Sequence, residues 1–228
     1  MELICITGMD GVGKTTLAKG LVNTLNSTGE LAVYRYGRVV PVLSRLVMQV
    51  GRRLFLPGYD PNKDYEEYID KKKKAMSSSI FRLGYSTAVY LDYFPQIWLK
   101  LLPYYFTSRI IVMDRFFHDT VINEIAVQLG YPFEEFSHVL QIGLRLLPKA
   151  KMTILIDLSE EIAFSRKSDI PHIDYLRERR RYYHCLKNIP GILYVSGQNP
   201  PTEILRYSLS AYRSHLRIDS NETVNPGD

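Results

Sequence analysis

The 228-residue chain has little cysteine: Cys5 and Cys185 are too few for a disulfide framework or a cysteine-built metal site, and Cys5 sits in an apolar strand-like run as a small core residue. It also lacks a long uninterrupted apolar run. The greasiest stretch, TAVYLDYFPQIWLKLLPYYF, holds Asp92, Pro95, Lys100 and Pro103, which a bilayer core tolerates poorly, so no membrane span is expected. No basic region followed by an apolar one opens the chain, so no secretory signal is expected either. An excess of one charge is scarce too. Lys plus Arg number 29 against 24 Asp plus Glu, and apart from Lys71–Lys74 and Arg177–Arg181 the basic residues are scattered. A nucleic-acid binder gathers them on one stripe. Neither nucleic acid nor membrane is therefore an expected partner, whereas a mild positive excess suits anionic small molecules. These absences point to a globular protein of a reducing, cytoplasmic compartment.

What is present is alternation. Apolar, β-branched runs at 2–7, 31–36, 109–114, 151–157 and 191–197 read as strands covered on both faces. Between them lie amphipathic stretches at 14–27, 39–55, 64–80, 84–101, 117–129, 133–146, 159–167, 174–188 and 201–215. The pattern predicts an α/β fold, a doubly wound five-stranded parallel sheet with helices on both faces. Residues 38–108 hold more chain than one crossover helix needs and read as a helical insert over the carboxyl edge, where open α/β sheets bind ligands. A single domain over 1–217 is expected, followed by a frayed tail over 218–228. Lys71–Lys74, with Glu66, Glu67 and Asp70 as helical neighbours, read as a solvated face. Most of Arg177–Arg181 reads the same way, although Arg177 or Arg181 could face a closed phosphate site.

The most informative segment is Gly8-Met9-Asp10-Gly11-Val12-Gly13-Lys14-Thr15-Thr16, which fits G-x-x-x-x-G-K-[ST], between the first strand and the first helix. Its glycines let consecutive N–H groups turn inward on a phosphate, and the helix adds its positive amino end. Lys14 reaches terminal phosphates and the Thr15 hydroxyl ligates Mg²⁺. The third strand ends in Asp114-Arg115, so a parallel sheet brings a metal-supporting carboxylate and a phosphate-gripping guanidinium beside that loop. No N-K-x-D guanine signature occurs.

GMDGVGKTT, followed by DRF after the third strand, resembles the thymidylate kinase family of P-loop nucleoside monophosphate kinases. The similarity continues through LIDLSEEIAFSRKSDIPHIDYLRERRRYYHCL and LYVSGQNPPTEI and covers about two thirds of the chain. It implies a P-loop NTPase fold with an acceptor-binding helical insert and a short basic lid at 166–175. It also implies ATP and Mg²⁺ as cofactors and transfer of phosphate to dTMP. Gly8, Asp10, Gly11, Val12, Gly13, Lys14, Thr15 and Thr16 would contact ATP, and Thr15 and Asp114 the metal. Asp10 would face the acceptor's sugar hydroxyl and Arg115 its phosphate. The family position after Asp10 is basic in one subgroup and glycine in another; with Gly11 here, the lid supplies the charge, through Arg166 or Lys167. A homodimer is also implied, with the apolar helices of 84–147 as one source of its interface.

The chain departs from the family pattern on the acceptor side. The arginine-proline-glycine segment after the second strand is replaced by YRYGRVVPVL, where Arg35 and Arg38 stand at altered spacing. The base-reading helix is best matched by STAVYLDYFPQIW, which offers Tyr90, Asp92, Tyr93 and Phe94 but no arginine near Tyr93. Arg38, Tyr90 and Tyr93 are the acceptor candidates, and the same rings also suit a packed core. His118 and Asp119 read as surface or capping residues. Three functions stay open: a dTMP kinase, a kinase of the same fold acting on another nucleotide, nucleoside or phosphorylated metabolite, and a non-catalytic ATP-binding regulatory protein.

Overall fold

A computed structural model describes residues 1–55, 78–167, 169–170, 172–189 and 191–222. The lysine run Lys71–Lys74, residues 64–77 of the expected helix over 64–80, and the tail from 223 onward lie outside the described residues. The protein is α/β, with a five-stranded, all-parallel sheet flanked by helices. The elements are β1 (Glu2–Thr7), α1 (Lys14–Ser27), β2 (Ala32–Tyr36), α2 (Leu43–Phe55), α3 (Ser79–Leu101) and β3 (Ile110–Asp114). They continue with α4 (Phe117–Thr120), a π-helical stretch (Val121–Ala126), α5 (Val127–Leu129), α6 (Phe133–Leu144), β4 (Met152–Asp157), α7 (Glu160–Ser165), α8 (Ile173–Cys185), β5 (Ile192–Ser196) and α9 (Pro201–Glu222). Among the described residues, no helix is long and apolar enough to cross a membrane.

The chain divides into two compact units. The first comprises Met1–Gly37, Tyr104–Phe116 and the residues from Pro148 on, and it contains the whole sheet. Strand order is β2-β3-β1-β4-β5. Chain direction across the sheet reverses between β1 and β3, so the loop after β1 and the end of β3 flank the switch point where such sheets bind ligands. β3 and β4 are buried along their whole length and β1 from Leu3 on, which explains their continuous apolar runs. Cys5 is fully buried opposite Met113.

The second unit, Arg38–Pro103 and Phe117–Leu147, is helical. Asp92 anchors it. Burial raises that carboxyl's pKa, but hydrogen bonds from the Ser44 hydroxyl and from the backbone N–H groups of Ser44, Leu43 and Val42 outweigh it and leave the pKa lowered. A carboxylate on α3 thereby caps the amino end of α2, satisfying N–H groups that have no partner within that helix. The rings of Tyr90, Tyr93, Phe94 and Phe117 form one aromatic cluster with centroids 5.1–6.1 Å apart. His118 and Asp119, expected as surface or capping residues, are buried; burial lowers the His118 pKa to about 4 and keeps the ring neutral. α3 also leaves Ile80, Leu83, Leu91 and Leu99 exposed.

Candidate functional site

The first unit brings Thr7 at the end of β1, the glycine loop, the start of α1 and Asp114 at the end of β3 to one edge of the sheet. Gly8, Gly11 and Gly13 all have positive φ. At Gly11 the demand for glycine is steric as well as conformational. A Cβ there would lie 2.5 Å from the Ala163 carbonyl oxygen, because α7 runs directly against the loop. This gives the missing basic side chain after Asp10 a physical reason: no side chain fits.

Gly13 precedes α1, whose first turn carries no acidic residue, so the positive end of the helix is uncompensated by its own sequence. A Cβ on Gly13 would meet nothing within 4 Å, so that side of the loop is open. Lys14 is almost fully buried, and its ammonium donates to the carbonyls of Gly8 and Met9, both at 2.6 Å. The loop is thus folded around its own lysine. Glycine-loop N–H groups, a helix amino end and a buried ammonium are the groups that could hold an anion here.

Asp114 lies in contact with that loop. The Thr15 hydroxyl donates to Asp114 Oδ2 at 2.5 Å, and the Tyr34 hydroxyl donates to the same oxygen at 2.9 Å. The other oxygen, Oδ1, is buried and has no hydrogen-bond partner among the described residues. A buried carboxylate oxygen left without a partner costs about 1–3 kcal/mol or more. That makes it a donor for a cation or its water. Mg²⁺ is commonly held by one or two carboxylates together with substrate phosphates, and Asp114 with the Thr15 hydroxyl provides such a donor set. Burial and the bond to Asp114 push the Tyr34 pKa up to about 12, so the hydroxyl stays protonated and donating.

Arg115 is the one non-glycine residue of positive φ among the described residues, at 71°. Its N–H donates to the Ile6 carbonyl at 3.0 Å, and the Gly37 N–H donates to the Asp114 carbonyl at 2.9 Å. These bonds hold the turn in a conformation that costs about 1–3 kcal/mol. The guanidinium pairs with Asp10. Burial raises the Asp10 pKa, yet the charges of Lys14 and Arg115, the Arg115 hydrogen bond and the charge of Lys167 bring it down to about 2. Lys14 Nζ stands 3.9 Å from the carboxylate. Asp10 is therefore an internal counter-ion to Lys14 and Arg115.

Of the two lid candidates, Lys167 is the one whose charge Asp10 feels. It pairs with Asp169 at 3.4 Å, while Arg166 caps α7 and is exposed. Arg38, Tyr90 and Tyr93 belong to the second unit. Arg38 is exposed, Tyr90 donates its hydroxyl to the Val139 carbonyl at 2.8 Å, and the Tyr93 side chain is fully buried in the aromatic cluster. Val12 is buried and Thr16 exposed.

Sequence reasoning missed Tyr34 and a second carboxylate, Asp157, which ends β4 as Asp114 ends β3. Arg180 grips Asp157 at 3.0 and 3.3 Å, Tyr194 donates to it at 2.8 Å, and His184 and Lys187 stand at 3.2 and 3.5 Å. Burial acts to raise its pKa, but the bonds from Arg180 and Tyr194 and the charges of Arg180 and His184 lower it to about 2. The basic run on α8, expected to be mostly solvated, is divided: Arg177 and Arg181 are exposed, whereas Arg179 is buried and Arg180 half-buried. Arg179 is buried with its guanidinium 3.4 Å from the Tyr175 ring centroid, Arg180 also pairs with Glu160, and Arg177 pairs with Asp174 at 2.9 Å. The recurrence of Arg177, Arg180, His184 and Lys187 at helical spacing was the available signal. Compared with known proteins, the chain matches no family model and no curated protein.

Proposed function

We propose that the protein is an ATP-dependent, Mg²⁺-requiring phosphotransferase of nucleoside monophosphate kinase type, with dTMP as the first acceptor to test. One observation carries the reading: at the mouth of a glycine loop wrapped around a buried lysine, Thr15 and Asp114, 99 residues apart in sequence, share a hydrogen bond that leaves one buried carboxylate oxygen unpartnered. Mg²⁺, when bound, neutralises charge on the terminal phosphates and aligns them. Lys14 exchanges the carbonyls of Gly8 and Met9 for phosphate oxygens, and the loop N–H groups hold the same anion. Arg115 leaves Asp10 for the acceptor's anionic group, and the freed Asp10 accepts a hydrogen bond from an acceptor hydroxyl. Lys167 lends positive charge from the lid. No side chain forms a covalent intermediate; transfer is in line, and catalysis is positioning with charge neutralisation. The protein acts in the cytoplasm in this reading.

A second acceptor class is favoured by one observation. Tyr93 is wholly enclosed and the segment STAVYLDYFPQIW carries no arginine, so the base-reading helix of the thymidylate kinases is not reproduced in sequence. The test is transfer from γ-labelled ATP to a panel of nucleoside monophosphates, nucleosides and phosphorylated metabolites. Labelled dTDP is the expected first product; label on another acceptor keeps the kinase and replaces dTMP. Tight ATP binding with no label on any acceptor establishes the regulatory alternative.

A further inference from the structure

We propose that Tyr34 is a positioning residue for a divalent cation: with Thr15 it pins one oxygen of Asp114, leaving Oδ1 as the oxygen available to the ion. The inference rests on reading the glycine loop as a Mg²⁺–nucleotide site. Tyr34 lies on β2 and Asp114 ends β3, the neighbouring strand, with Tyr36 paired to Asp114 in the parallel register. The tyrosine is therefore two residues down the adjacent strand, and its long side chain spans that offset to donate at 2.9 Å. Thr15 approaches the same oxygen from α1 at 2.5 Å.

Two hydroxyls from different elements on one carboxylate oxygen fix the rotation of the carboxyl group. With Thr15 alone the group keeps a rotational freedom that exchanges the two oxygens. When Thr15 turns its own oxygen toward a cation, Tyr34 is the remaining donor that keeps the carboxylate in place. An opposing effect exists, because a donor drains charge from the carboxylate and weakens it as a ligand. Orientation outweighs it here: Oδ1 is buried, so a misaligned carboxylate cannot be replaced by freely arriving water.

The experiment is calorimetric titration of ADP into the full chain, first in EDTA and then across a Mg²⁺ series, for the wild type, Tyr34→Phe and Asp114→Asn. Free ADP and Mg²⁺ associate equally in every sample, so ratios between proteins report the site. For Tyr34→Phe the expected result is unchanged ADP affinity in EDTA and a Mg²⁺ midpoint raised about tenfold or more, the usual loss for an outer-shell partner. Asp114→Asn should raise it further. Should Tyr34→Phe fail to fold, Tyr34→Leu carries the same expectation, since it also removes the hydroxyl. A midpoint within twofold of wild type overturns the role of Tyr34 while leaving the site reading intact. A wild type whose ADP binding ignores Mg²⁺ altogether overturns both.

Discussion

Replacing Gly11 by alanine tests whether α7 is held against the glycine loop. Two penalties apply. Gly11 has φ of +87°, a left-handed conformation that costs an alanine about 1–2 kcal/mol. The new Cβ would also lie 2.5 Å from the Ala163 carbonyl oxygen and 3.1 Å from its carbon, both backbone atoms that cannot swing aside. Crowding of that kind costs about 1–3 kcal/mol more. The sum, about 2–5 kcal/mol, lowers the thermal midpoint by about 4–20 °C for a chain of this size. Gly13→Ala is the control: its φ of +97° carries the same conformational penalty, but its Cβ meets nothing within 4 Å. It should lose only about 1–2 kcal/mol. Calorimetric melts of both variants at one pH decide the matter. If Gly11→Ala melts no lower than Gly13→Ala, the close approach of α7 is wrong, and so is the reason given for the absent basic side chain.

Two further predictions concern carboxylates. The Asp157 pKa, held near 2 against an ordinary 3.8, contributes about 2 kcal/mol of stability. Because the folded pKa is the lower one, that contribution is present above pH ~4 and is lost as pH falls through ~2. Asp157→Asn should therefore be less stable at pH 7 and show a shallower decline between pH 5 and 2; an unchanged slope in urea melts contradicts the hub. Asp92→Ala removes an acceptor shared by three backbone N–H groups and the Ser44 hydroxyl, and should cost about 2 kcal/mol, with faster hydrogen exchange at residues 42–44. Exchange at wild-type rates there rules out Asp92 as the cap of α2.

The sheet was legible because buried parallel strands announce themselves as continuous β-branched runs, and all five fall within one residue of the expected bounds. The glycine loop was legible because its chemistry is local. The groups that complete the site were not, because they meet through topology. Tyr34 looks like any aromatic on a half-buried strand; only the placement of β2 beside β3 brings it to Asp114, 80 residues away. Asp157 likewise gains its meaning from α8 packing back over it. Within Arg177–Arg181, Arg179 and Arg180 depart from a solvated face for a physical reason. A guanidinium is buried readily when carboxylates and aromatic faces receive it, and Glu160, Asp157 and Tyr175 do so here. The burial of His118 was not legible either, since it depends on packing within the helical unit.

The central claim, that the glycine loop holds a nucleotide's phosphates through Lys14, is tested most directly by titrating ATP with Mg²⁺ into the wild type and Lys14→Ala, with circular dichroism confirming that both are folded. Saturable binding by the wild type and an affinity at least about a hundredfold weaker in the variant, the loss of a charge-assisted contact of about 3 kcal/mol, is the predicted result. Equal affinity in the two proteins, or no binding by either, contradicts it.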